Sequence, residues 1–346
     1  MPPPDNGNEY LPFRKLIALE RINPLTYRSI ALAFGPASSS RTYGGHVFMQ
    51  AAYAAAQTVK KEFVLHNVTG WFLLAGKANE RFIYTVRVLR DGGYCTRSVD
   101  VMQESSPDIC FTCTCSFKKP ESANAVNLNA SQSINLTEKF GAALKGKRPH
   151  EHEEMPGIDT PWYWEFIRRH NGYTEPFPGL SLRKVNMDAY KHVPPLERRH
   201  LKYYSVIGDM PTWEEDANMH ACAHLYASDR NSLFVISNHL GVGDNYSSIA
   251  SLAHTVIFHS NAEEMNMIDP ATGQARWFCQ EAWAGGSRHG RGMHESRMWR
   301  EDGLHVASTV QDGMLRPRTE QSKGKVGFSP DGMIEGMERR KALGKL

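Results

Sequence analysis

The stretch Gly44-Gly-His-Val-Phe-Met-Gln-Ala-Ala-Tyr-Ala-Ala-Ala-Gln-Thr-Val limits what this chain can fold into more than any other. It reads as a helix that is almost apolar all round and rich in alanine, so it must be buried on most sides. Small side chains let a neighbouring sheet come close. The two leading glycines allow unusual backbone angles and close approach at the helix start. The residues that follow supply a sheet. Arg81–Val88 places Phe82, Tyr84, Val86 and Val88 on one face, Leu89–Gly93 is a turn, and Tyr94–Gln103 is a second strand. After the turn Glu104–Asp108, Ile109, Phe111, Cys113, Cys115 and Phe117 alternate with Thr112, Thr114 and Ser116. That period of two is a half-buried strand, which makes Cys113 and Cys115 small core residues. One buried helix followed by an antiparallel meander is an α+β unit.

The arrangement recurs. Leu180–Met187 and His200–Val206 read as strands ahead of Met219–Ala227. A helix is expected from Ser228-Asp-Arg-Asn through Leu233, Phe234, Val235 and Ile236. Strands are expected at Ala253–His259, Arg276–Ala284, Gly292–Arg300 and Leu304–Gln311. Each half closes on a strand, a polar turn (Glu104–Asp108 or Arg300–Gly303) and an alternating strand, which suggests a duplicated unit. The length of 346 residues accommodates two such units. The expected division is 1–117, a linker 118–175, a second unit 176–318 and a flexible tail 319–346. Residues 1 to about 35 are expected to be irregular. The linker is expected to hold short helices near Thr137–Leu144 and Pro161–Arg169, and the tail one near Met333–Leu343.

Composition excludes several classes. A formal charge of +3, from 40 basic and 37 acidic side chains, gives no basic stripe for nucleic acid. No run of 18 apolar residues occurs, so no membrane span is expected, and the opening Met1-Pro-Pro-Pro is not a signal peptide. The cysteines lack a second ligand pair at zinc spacing, and free thiols suit a reducing compartment. His150-Glu-His-Glu-Glu lacks the helical His spacing of a metal site and reads as a solvated loop. No Gly-x-Ser-x-Gly, no phosphate-binding glycine loop with lysine and no dinucleotide fingerprint appears. No cofactor and no metal are expected.

Five motifs in order resemble the acyl-CoA thioesterase II family of bacterial and peroxisomal enzymes. Tyr43-Gly-Gly-His-Val-Phe-Met-Gln-Ala is similar to the family's Phe-Gly-Gly-Gln-Val-x-x-Gln-Ala, and Trp71-Phe-Leu-Leu-Ala-Gly to Tyr-Phe-Leu-Arg-Pro-Gly. Tyr226-Ala-Ser-Asp resembles its acidic segment, Ser251-Leu-Ala-His-Thr-Val-Ile-Phe-His its Ser/Thr-Leu-Asp-His-x-x-x-Phe-His, and Val306-Ala-Ser-Thr-Val-Gln-Asp-Gly its closing strand. The resemblance covers about Tyr43 to Arg316. It implies a double hot-dog, in which two antiparallel sheets each wrap a central helix. It also implies acyl-CoA as substrate, with Asp229, Ser251 and Gln311 as the residues that activate water. Three departures stand out: Ala253 for the family's Asp, His46 for Gln, and Leu74-Ala75 for Arg-Pro. The lost aspartate is expected to remove a charge near the site, and the Leu-Ala change to alter only a sheet-edge turn.

Read from the residues alone, Asp229 is expected at the start of the second helix, where it is either an N-cap or a base that takes a proton from water. Helix-start N–H groups offer donors for a thioester carbonyl. Ser251 and Gln311 can each hold a water. His254 and His259, on the same strand as Ser251, read as satisfied structural histidines. The helix from Gly45 carries no acid, so one active centre per chain is expected. Hot-dog sheets usually pair further, so a homo-oligomer is plausible. The alternatives are release or processing of a polyketide or acyl thioester in a biosynthetic pathway, and non-catalytic acyl-CoA binding. A dehydratase lacks support, because no histidine follows Asp229 by one turn. The ending Gly344-Lys345-Leu346 resembles a peroxisomal address with Gly in place of Ser, with cytosol as the other reading.

Overall fold

The computed structural model describes residues 11–36, 40–121, 133–169, 177–243 and 245–319. The first half runs α1 (Phe13–Ile17), β1 (Leu19–Asn23), β2 (Thr26–Ser29), α2 (Gly44–Ala56), β3 (Val64–Phe72), β4 (Phe82–Arg90), β5 (Tyr94–Gln103) and β6 (Ser106–Lys118). Between the halves lie α3 (Leu136–Leu144), the short β7 (Glu153–Glu154) and α4 (Pro161–Arg169). The second half runs β8 (Leu180–Lys184), β9 (His200–Val206), α5 (Trp213–Ser228), α6 (Ser232–His239), β10 (Tyr246–Phe258), β11 (Phe278–Arg288), β12 (Arg291–Arg300) and β13 (His305–Pro317).

All these strands join one sheet in the order β1-β2-β4-β5-β6-β3-β10-β13-β12-β11-β9-β8-β7. Apart from β7 at the far edge, the order mirrors itself about the β3–β10 seam, where Val68 faces Val256 and Trp71 faces Ala253. Each half is therefore the same antiparallel sheet around its own helix, as the double hot-dog requires. The alternation in β4, β5 and β6 sends Phe82, Tyr84, Val99, Phe111, Cys113 and Cys115 inward against α2, where all are buried. The β12–β13 turn depends on Gly303 (φ 88°). A Cβ there would stand 1.7 Å from the Ile134 carbonyl oxygen, so no side chain fits.

The two central helices lie side by side and run in opposite directions. Tyr43, just before α2, donates to the Tyr226 carbonyl near the end of α5 at 2.5 Å. At the other end Tyr53 donates to Asp216 at 2.8 Å. Alanines 51, 52, 54, 55, 221, 223 and 227 are all buried, which lets the helices pack closely.

The structure departs from the sequence reading in several places. Residues expected to be irregular at the start hold α1, β1 and β2. The strand β3 had no counterpart in the reading. The second central helix begins at Trp213, with Thr212 and Glu215 forming a capping box, and not at Ser228. Ser228 ends that helix and Asp229 caps it; the expected helix through Leu233–Ile236 is present as the separate, shorter α6, which starts at Ser232. β10 and β13 are longer than expected. The stretch from His150 is not wholly solvated: His152 is buried and stacks on Tyr203, with ring centroids 5.6 Å apart. The tail helix and the ending Gly344-Lys345-Leu346 lie outside the described residues.

Candidate active site

Asp229 is the C-cap of α5, in place of the helix start expected for it. Asn231, at φ 57°, then turns the chain into α6. This sharp bend pushes the Asp229 side chain across to the other half. Its carboxylate meets the first turn of α2, where the Gly45 backbone N–H donates to it. α2 has no acid in its own first turn and no side-chain cap at Tyr43. Asp229 fills that role from the opposite half, at the end of α2 where partial positive charge favours an anion. The paired glycines make the approach possible. A Cβ on Gly44 would lie 2.9 Å from Asp229 Oδ2 and 3.0 Å from the Phe72 ring.

Gln311, fully buried on β13, joins the rest. Its Nε2 donates to Asp229 Oδ1 at 2.6 Å and to Ser251 Oγ at 2.7 Å. Both N–H bonds of the amide are thus used, and the three residues named from the sequence converge on one nitrogen. Ser251 sits on β10 opposite Gly313, at a bulge that ends at Ala253. Ser232 Oγ donates to the Asp229 carbonyl at 3.0 Å. Burial pushes the Asp229 carboxyl above its ordinary value; the hydrogen bonds from Gln311 and Gly45, the charge of Lys202 and the hydroxyl of Ser232 pull it back.

Asp229 and Ser251 open onto a cleft of about 830 Å³ between the halves. Its first-half wall includes Val47, Phe72, Phe82 and Phe111, and its second-half wall Leu233, Phe234, Tyr246 and Ile249. Leu73, Leu74 and Ala75 also line it. The Leu74-Ala75 change therefore falls on the cleft and gives it an apolar lip, which a sheet-edge reading did not anticipate. Ala253 does not line the cleft. Its neighbour His254 faces inward, so residue 253 points to the opposite face of the sheet, beside Trp71 and Asp312. A charge there would lie next to the Arg291–Asp312 pair, away from Asp229.

His254 donates from Nε2 to Ser228 Oγ at 2.7 Å, while that hydroxyl donates to the Leu225 carbonyl, so it braces the residue before Asp229. His259 bonds Ser308 Oγ at 2.9 Å. His46 is fully buried and is not part of the cleft wall. The sequence reading missed Lys202 and Arg230. Arg230 is buried and donates to the Gly157 and Pro156 carbonyls at 2.8 and 3.1 Å, which fastens the inter-half segment beside the cleft.

One consequence concerns the glycine pair. Gly44→Ala is expected to push the Asp229 carboxylate or the Phe72 ring aside by several tenths of an ångström and to lower kcat about tenfold or more. The α2 backbone is already helical there, so stability should change little. A kcat within a factor of two of the unsubstituted protein would refute this close-approach role.

Two hot-dog halves that share a sheet, with a buried acid and amide and a half-buried hydroxyl gathered at the cleft between them, give the architecture of a hot-dog thioesterase. The comparisons agree. The family model for the acyl-CoA thioesterase N-terminal domain matches residues 35–118, and that for the C-terminal domain matches residues 170–315. The chain belongs to the acyl-CoA thioesterase family. It is 25% identical over 304 residues to acyl-coenzyme A thioesterase 8 of Mus musculus, covering 84% of each chain. To acyl-CoA thioesterase 2 of Haemophilus influenzae it is 23% identical over 309 residues, covering 87% of this chain and 96% of the other. The fold matches the crystal structure of the acyl-CoA thioesterase II TesB2 of Mycobacterium marinum (TM-score 0.63, 21% identity, 89% of this chain and 98% of that one).

Proposed function

We propose that the chain hydrolyses acyl-CoA to a free carboxylic acid and CoA, with Asp229 as general base, Ser251 holding the attacking water and Gln311 fixing the carboxylate and the hydroxyl on either side of it. The observation that carries this reading is the shared donor: one Gln311 nitrogen bonds both the carboxylate and the hydroxyl. A water between Asp229 and Ser251 has its proton directed at the carboxylate and its lone pair at the cleft. Asp229 takes that proton as oxygen attacks the thioester carbonyl carbon. The partial positive charge at the start of α2 stabilises the oxyanion. The C–S bond then breaks, and the proton held on Asp229 returns to the CoA thiolate.

On this reading residues 1–117 are the half without a base, 118–175 the connection, 176–318 the half that supplies the three side chains, and 319–346 the tail. The centre is nonetheless composite, because the first half contributes the helix start. The apolar walls suit a hydrocarbon acyl chain. The test is thiol release from acyl-CoA esters of graded length. Turnover that rises with chain length to an optimum is expected; no release from any ester would overturn the reading.

A further inference from the structure

A buried carboxylate at the end of a helix stands in the wrong field. The C-terminus of α5 carries partial negative charge, which opposes an anion at its C-cap. Asp229 is also only 8% exposed, so water does little to hold its charge. The Gln311 amide and the start of α2 compensate in part. A buried cation in the second half adds to them.

Lys202 is that cation. It lies on β9, facing inward, and is 3% exposed. Its Nζ donates to the Ala227 carbonyl at 3.1 Å and, at short range, to the Arg230 carbonyl. These two carbonyls bracket Asp229 along the chain. One ammonium thus caps the end of α5 and ties both ends of the bend that presents the acid. The titratable and charged groups around Lys202 are Arg230 and Asp229 on the bend, Asp159 on the inter-half segment, and the histidines His200 on its own strand, His254 on β10 and His294 on β12. Of the two carboxylates, Asp159 is already engaged by Lys184, by Trp164 Nε1 at 2.7 Å and by His200 at 3.1 Å. Lys202 is the cation whose charge acts on the Asp229 carboxylate. Arg230 points away to Pro156 and Gly157.

Given the assignment of Asp229 as the base, we propose that Lys202 is its positioning residue: its ammonium fixes the bend that carries the acid and supplies the buried positive charge that keeps the carboxylate ionised. Burial lowers the Lys202 ammonium to about 7, so this charge is held against a substantial desolvation cost. A lysine with a purely packing role would be replaced by an apolar side chain without consequence for the acid.

The test is the pH profile of kcat/KM for the unsubstituted protein and for Lys202→Met. The expected result is an acid limb displaced to higher pH, kcat lower by about tenfold, and KM nearly unchanged. In the Asp229→Asn background, Lys202→Met should cost no further rate. The Asp229 carboxyl titration, followed by carbon-13 NMR and assigned by its absence in Asp229→Asn, reads the same displacement without turnover. Should Lys202→Met not fold, Lys202→Gln keeps a donor for one carbonyl without the charge and serves the same comparison. A limb and a carboxyl titration unmoved in a folded Lys202 variant would overturn the proposal. If the unsubstituted protein releases no thiol but the carboxyl still titrates higher in the variant, the hydrolytic reading fails and the role of Lys202 stands.

Discussion

Asp229→Asn is expected to lower kcat/KM by roughly 10²–10⁴, the usual cost of removing a positioned general base. That range corresponds to about 3–5 kcal/mol of lost transition-state stabilisation. The substitution preserves volume. The asparagine oxygen still accepts from Gln311 Nε2, which now bonds Asp229 Oδ1 at 2.6 Å, so the geometry of the three residues should persist. What disappears is the capacity to take the proton, together with one oxygen that accepted from the α2 start. KM should therefore change far less than kcat. The same variant has a second signature, in stability. Burial holds the Asp229 carboxyl above its ordinary value. A raised carboxyl pKa means that the folded protein carries a penalty wherever the unfolded chain is ionised, and none below about pH 4, where both states are protonated. Asp229→Asn should accordingly lose this pH-dependent penalty, so its stability relative to the unsubstituted protein should improve as pH rises from about 4 to neutrality. A variant that is inactive yet shows this relative gain cannot have lost activity by unfolding. Full activity in the variant would remove Asp229 from the mechanism.

The candidate site was more legible in the sequence than its setting. Asp229, Ser251 and Gln311 lie in three of the motifs that carry the family resemblance. Their convergence on one nitrogen follows from the strand pairing of β10 with β13, where Gln311 lies opposite His254. The helix that carries Asp229 was misplaced because its last eleven residues, Asn218 to Ser228, are all buried. A helix buried on every side has no amphipathic period to read. Ser228-Asp-Arg-Asn ahead of Leu233–Ile236 has the composition of a helix start, because Asp and Asn suit either end. The true start, Thr212-x-x-Glu215, was present as a capping box and went unread. β1 escaped for the opposite reason: four of its five residues are exposed on the sheet edge, so it shows no alternation. Lys202 lies in a strand buried along its whole length, where nothing in the spacing separates it from a surface lysine.

Stability should fall steeply between about pH 6.5 and pH 4, and histidines should be the cause. His46, His224, His254 and His294 are all fully buried. Burial lowers His46 and His224 to about 4 and His254 to about 3, and holds His294 well below its ordinary value. The neutral ring is built into the structure. His224 accepts from the Tyr204 hydroxyl at 2.7 Å and donates to the Met265 carbonyl at 2.9 Å, so a second proton would displace the tyrosine's donation. His254 spends its one N–H on Ser228. For a histidine whose folded pKa is depressed, the unfolded chain binds a proton first, near pH 6.5. The stability contribution is present above that value and is lost as pH falls toward the folded pKa. Each such group contributes a slope of about 1.4 kcal/mol per pH unit within that window, so four give about 5 kcal/mol per pH unit near pH 5. Asp229 titrates with the opposite sign but is one group against four. Lys202, lowered to about 7, acts above neutrality and adds nothing in this range. Against a net stability of roughly 5–15 kcal/mol, a slope of that order should unfold the protein well before its carboxylates are fully protonated. Urea unfolding at a series of pH values measures it directly. A single His254→Gln variant, which keeps a donor for Ser228, should reduce the slope by about one proton. Stability that stays level from about pH 7 to pH 5 would show that these buried rings take up protons without cost, and that the polar interior behind Asp229 is wetter than its burial implies.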